Sequence, residues 1–240
     1  MPDQTSARER FDGGYETSGL SPAELAWGVP AQPRSYWPAR IAVLCALLFY
    51  VFLPDRVVPG PHFIVPSFEG VVLFALSFFV PHRTSIDAPL RRVLAILLIG
   101  MLSVANFVSL GLLVNELLRG HVQNGRGLIA ASVAIWLTNI IVFALWYWEL
   151  DRGGPFARHK TSHREPDFLF PQMSTPGAGR AQWSPSFFDY FYVSLTNATA
   201  FSPTDTMPLT ATAKSLMGVQ AISSLLTVAV VAARAVNILS

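Results

Sequence analysis

The side chains best placed to do chemistry in this 240-residue chain sit inside otherwise apolar runs. In the last run, Gln220, Ser224, Thr227 and Arg234 recur at steps of 4, 3 and 7, which aligns them along one stripe of a helix, with Ser223 and Asn237 widening it. Such a stripe either lines a watery path or packs against a polar partner. Arg234 sharpens the demand, because a guanidinium stays charged and needs a carboxylate, carbonyls or the headgroup region; Glu69, Glu116 and Asp189 are its candidate acids. Asn106 and Asn139 fall near the midpoints of two other apolar runs, which predicts an interhelical amide pair. Glu149 and Asp151 follow the aromatic triplet Trp146, Tyr147 and Trp148, as interface acids able to hold a cation or an amine at a membrane surface. His159 and His163, with Glu165 and Asp167 behind them, have the composition of a metal cluster. Gly153, Gly154, Pro155 and Pro166 deny them the helix that would converge them on one ion. No GxxxxGK, GxSxG, HExxH or paired-Cys motif is present, so neither an enzyme nor a bound cofactor or metal is expected.

The elements that carry these residues follow from composition. The chain is 52% apolar and only 13% charged, with mean hydropathy +0.42, whereas an ordinary soluble domain carries roughly a quarter charged residues. A bilayer core needs about 20 mostly apolar residues per helical span, since backbone polar groups cannot be left unpaired in lipid. Residues 36–53, 63–80, 93–118, 128–148 and 216–239 meet that demand, the second least well because Pro66 and Glu69 interrupt it. Four long runs in one chain of this size leave too little polar surface to wrap them as a soluble core. The expected fold class is therefore all-α, an integral membrane helical bundle with five or six crossings. Basic residues set orientation: twelve fall in the N-terminal tail and in the connections after the second and fourth runs, against three on the opposite side, Arg56, Arg119 and Arg126. The positive-inside rule then puts the N-terminus in the cytoplasm. A net charge of +2 is too balanced for a nucleic-acid surface, and a single cysteine, Cys45, excludes an internal disulfide.

Between Trp183 and Lys214 runs the most distinctive stretch, WSPSFFDYFYVSLTNATAFSPTDTMPLTATAK. Ser184 as cap and Pro185 in the first turn predict a helix to about Thr199, and Pro203 and Pro208 force a break before the last span. A helix of roughly 15 residues reaches about 22 Å, short of a bilayer core. The expectation is a re-entrant or half helix, a pore-like turn with Thr199, Ser202, Thr204 and Asp205, and then a full helix. If the short helix instead crosses completely, the last span runs back inward and Arg234 ends among cytoplasmic headgroups. Both layouts stay open at this point.

Over residues 186–239 the order short helix, turn, Asp, Pro, long helix resembles the pore hairpin of tetrameric potassium channels. Laid along that family's Thr-Val-Gly-Tyr-Gly-Asp filter, Ala200, Phe201, Ser202, Pro203, Thr204 and Asp205 agree at Asp205, and Pro208 matches the proline beyond it. Ser202 and Thr204 stand where that filter has glycines. The whole chain also resembles uncharacterised bacterial multi-pass membrane proteins that carry WYWELDRGGP (146–155) and AFSPTD (200–205) stretches, a likeness that implies no activity.

The resulting organisation is a cytoplasmic, largely disordered tail (1–35), a four-helix membrane region (36–148), a basic cytoplasmic loop (149–184) and a pore-like helix, turn and last membrane helix (185–240). Fifteen Arg against two Lys fit a GC-rich bacterial genome and hence a cytoplasmic (inner) membrane. The expected function is channel-like or permeation-related, with a non-catalytic, partner-binding scaffold as the alternative. Expected partners are membrane lipids, a cation and further copies of the chain, with no nucleic acid.

Overall fold

The computed structural model describes residues 37–58, 61, 67, 70, 88–119, 125–155, 157–159, 165–174, 183–199 and 206–239. The disordered-tail expectation and most of the second predicted span lie outside these residues. Within them the chain is mostly helical: α1 (Trp37–Val51), α2 (Ala88–Arg119), α3 (Gly125–Leu150), α4 (Phe187–Thr199) and α5 (Ala211–Leu239). Three stretches are long and apolar enough to cross a bilayer, Leu90–Leu118, Gly127–Gly153 and Ala211–Ala233. These correspond to the third, fourth and fifth predicted spans, and together they support a membrane protein. The first expected span is shorter than its apolar run, because Pro54, extended at φ −62° and ψ 146°, ends α1 and opens a 3-10 turn at Asp55–Val57.

α3 is the central helix, packed by α1, α2, α4 and α5. It is hydrophobic around its whole circumference, as a helix enclosed by others must be. Two apolar clusters order the ends of the bundle. One joins the first halves of α1 and α2, the last turns of α3, and the starts of α4 and α5 through Ala42, Leu98, Leu145, Phe187 and Ala213. The other joins the opposite ends through Tyr50, Leu113, Ile135 and Val230. The starts of α1, α2, α4 and α5 therefore share one end with the finish of α3. Arg40, Arg91, Arg92, Arg152, Arg158 and Lys214 all belong to that end, and Arg56 to the other.

α4 begins two residues later than Ser184 and Pro185 suggested. Ser186 is the cap: its backbone N–H and its hydroxyl both donate to Asp189 Oδ2, each at 2.6 Å, so Asp189 serves the helix start. At 13 residues α4 spans about 20 Å. It runs down α3 from the Trp148 level, where Phe187 meets the Trp148 ring at 5.8 Å, to Ser194, whose hydroxyl donates to the Ile140 carbonyl at 2.7 Å. The chain is back at the first end by 207–210. There β2 (Met207–Pro208) pairs antiparallel with β1 (Phe168–Leu169), and Thr210 caps α5 by accepting from the Ala213 N–H at 3.2 Å.

Candidate functional site

The polar residues of α3, α4 and α5 gather into two connected groups. The deeper one centres on Gln220, which is fully buried. Its Nε2 donates to the Ser194 carbonyl at 2.9 Å and the Ser194 hydroxyl at 2.6 Å. Its Oε1 accepts from the Tyr147 hydroxyl at 2.5 Å and from Asn197 Nδ2 at 2.8 Å, and the same Asn197 nitrogen donates to the Met217 carbonyl. One turn further along α5, Asn139 Nδ2 donates to Ser224 at 2.8 Å, while Ser223 donates to Asn139 Oδ1 and to the Gln220 carbonyl. Thr227 closes the row by donating to the Ser223 carbonyl. The stripe read from spacing is thus real as a helix face, and Gln220, Ser224 and Thr227 are buried against neighbouring helices. Arg234 has a described backbone only, and Ser202, Thr204 and Asp205 lie outside the described residues. Thr199 donates to its own helix, at the Thr196 carbonyl.

The expected amide pair is corrected. Asn139 bonds to α5, and its hydrogen-bond partners do not include Asn106. The reason is register: Trp146 Nε1 donates to Ser103 at 2.9 Å and Phe107 meets Phe143 edge-on at 6.5 Å. In an antiparallel pair this sets Asn106 opposite 143–144, about one turn away from Asn139.

The second group lies at the Arg-rich end and contains the interface acids Glu149 and Asp151, both buried. Arg152, Gly153 and Gly154 have φ of 55°, 81° and 99°, a run of left-handed residues that folds the chain back under α3. At Gly154 a Cβ would stand 2.9 Å from the Glu149 carbonyl oxygen, so only glycine fits. The reversal carries Arg158 beneath Trp148, where Nη2 donates to the Trp148 carbonyl and Nη1 to the Tyr190 hydroxyl at 2.8 Å. Tyr190 in turn donates to Asp151 Oδ2, and its ring faces the Arg158 guanidinium at 5.0 Å. Loss of water around the ring, reinforced by the Asp151 charge against the pull of Arg158, holds the Tyr190 phenol well above its ordinary range. It stays protonated and able to donate.

Asp167, noted in the sequence only beside the histidines, is the connector that spacing did not reveal. Its backbone N–H donates to Asp151 Oδ1 at 2.8 Å and its carbonyl accepts from Leu209 at 2.8 Å. Its carboxylate accepts from the Arg152 N–H at 3.1 Å and from the Thr210 hydroxyl at 2.6 Å. One residue thereby joins the finish of α3 to the cap of α5. Among the described residues no three His, Cys, Asp or Glu side chains converge as a metal site would need.

Chemically, both groups are built to hold helices together. Asp151, Arg152, Arg158 and Tyr190 are all buried. Compared with protein-family models, curated proteins and solved structures, the chain has no match.

Proposed function

We infer that this is a multi-pass membrane protein with a non-catalytic scaffolding role, its C-terminal hairpin re-entering from the cytoplasmic side of a bacterial inner membrane. One observation supports the reading: among the described residues, Gln220, Ser223 and Ser224 of α5 and Asn139 and Tyr147 of α3 bond to one another and to α4 instead of facing an open path. The cytoplasmic assignment rests on the gathering of Arg residues at the end where α1 begins and α3 finishes. Re-entry is supported by the depths of the bonds: Asn197 sits level with Met217 and Gln220, and Thr210 is again beside Asp167.

A permeation role, shared among several copies, is the second reading. It is favoured by the half helix followed by a full helix, the layout of a pore hairpin, and by α5 presenting Val219, Ile222, Leu225 and Val228 away from the bundle. Purified protein in liposomes separates the two. The scaffold reading expects cation flux equal to that of empty vesicles. Flux that scales with protein and changes ion preference in Asp205→Asn would replace it with the permeation reading.

A further inference from the structure

Beneath the Arg-rich end, segment 167–170 lies across the mouth of the α3–α4–α5 unit. Phe168 and Phe170 are both buried; Phe168 meets the rings of Tyr147 at 5.1 Å and Tyr190 at 6.2 Å, and Phe170 meets Tyr190 at 5.3 Å and Trp183 at 5.6 Å. On the far side of the Tyr147 ring is the uncharged polar cluster of the Tyr147 hydroxyl, Gln220, Ser194 and Asn197. The plug is therefore an aromatic layer one side chain thick between the polar end and a buried polar cluster. Its polar ties are concentrated at one residue. Beyond the two-residue ladder to β2, they converge on Asp167, whose N–H donates to Asp151, whose carbonyl accepts from Leu209 and whose carboxylate accepts from Thr210 and the Arg152 N–H. Loss of the Asp167 carboxylate would remove both of its fastenings to α5 and to the reversal after α3 at once, leaving the ladder, the backbone bonds and the ring packing to hold the segment.

We propose that 167–170 is a lid, clasped by Asp167 to the cap of α5, and that releasing the clasp opens the Tyr147–Ser194–Gln220 cluster to water from the Arg-rich side. The lid operates whether the protein is a scaffold or a pore, because it depends only on the packing at this end.

The test uses full-length protein in oriented vesicles, with Cys45→Ser as background and a membrane-impermeant maleimide as probe. Ser194→Cys reports the cluster beneath the lid, and Ser132→Cys reports a buried position at the opposite end. Asp167→Ala is expected to raise Ser194→Cys labelling by about tenfold or more, as for a local opening, while Ser132→Cys stays protected. Adding Leu169→Cys with Met207→Cys, which face each other in the β1–β2 register, should restore protection when oxidised and lose it again on reduction. Unchanged Ser194→Cys labelling after Asp167→Ala overturns the proposal. So does equal acceleration at Ser132→Cys, which would show that the whole bundle had loosened, or a disulfide that fails to restore protection.

Discussion

Replacing Gln220 by leucine keeps a side chain of similar volume and deletes four hydrogen bonds at once: two to Ser194 and one each from Tyr147 and Asn197. Bonds between buried polar groups in membrane proteins average about 0.6 kcal/mol each, so the four together set a loss of about 2.4 kcal/mol. Ser194 keeps its bond to Ile140 and Asn197 its bond to Met217, which leaves the Tyr147 hydroxyl as the orphan. Burying that hydroxyl unpaired raises the loss toward about 4 kcal/mol. The lower figure already corresponds to about a 50-fold fall in the folded-to-unfolded ratio. Unfolding in mixed micelles with rising denaturing detergent, followed by tryptophan fluorescence, measures it. Combining Gln220→Leu with Tyr147→Phe should recover about 1 kcal/mol of that loss, since the orphan is removed with its partner. A loss below about 0.5 kcal/mol, the range of ordinary surface substitutions, would refute the assignment of this cluster as the lock between α3, α4 and α5.

Gly154→Ala combines a left-handed φ of 99° with a Cβ 2.9 Å from the Glu149 carbonyl, and should cost about 1 kcal/mol or more, seen as a lowered midpoint in the same titration. Tyr190→Phe removes the donor to Asp151 and the acceptor for Arg158; a loss of about 1.5–3 kcal/mol is expected, as for bonds to charged groups. The Tyr190 phenol is held protonated in the folded state, so its contribution is complete below the ordinary tyrosine pKa of about 10 and is lost as pH rises beyond it. Unfolding midpoints should fall as pH rises above about 10 in the parent and fall less in Tyr190→Phe. Thr210→Val removes the cap of α5 and its bond to Asp167, with a loss of about 1 kcal/mol and faster amide exchange at Ala213 and Lys214.

Much of the helical framework is legible in the chain because long apolar runs favour long helices, and three such runs became helices long and apolar enough to cross a bilayer, near their expected limits. The face shared by Gln220, Ser224 and Thr227 was readable for the same reason: helical spacing is a local property. What those side chains touch was not, because partners come from register between helices far apart in sequence. Asn106 and Asn139 show the difference. Each was placed correctly near the middle of its run, and the offset of α2 against α3 separates them by a turn. The burial of Glu149 and Asp151 was not legible for a related reason. A charged stretch after an aromatic girdle looks like a headgroup contact, and only the double reversal at Arg152, Gly153 and Gly154 turns it inward. Asp167 had no local pattern at all; its role exists only where two distant loops meet.

Sidedness is the most direct test of the central idea that α4 enters the bundle and the chain returns to the end from which it came. Single cysteines at Gln172, Lys214 and Ala233, all exposed, can be labelled with an impermeant maleimide from each face of sealed vesicles. Gln172→Cys and Lys214→Cys should react from the same face, the one shared with the N-terminus, and Ala233→Cys should not react from that face. Reaction of Gln172→Cys and Lys214→Cys from opposite faces would mean that α4 crosses the membrane, and would contradict the re-entrant hairpin.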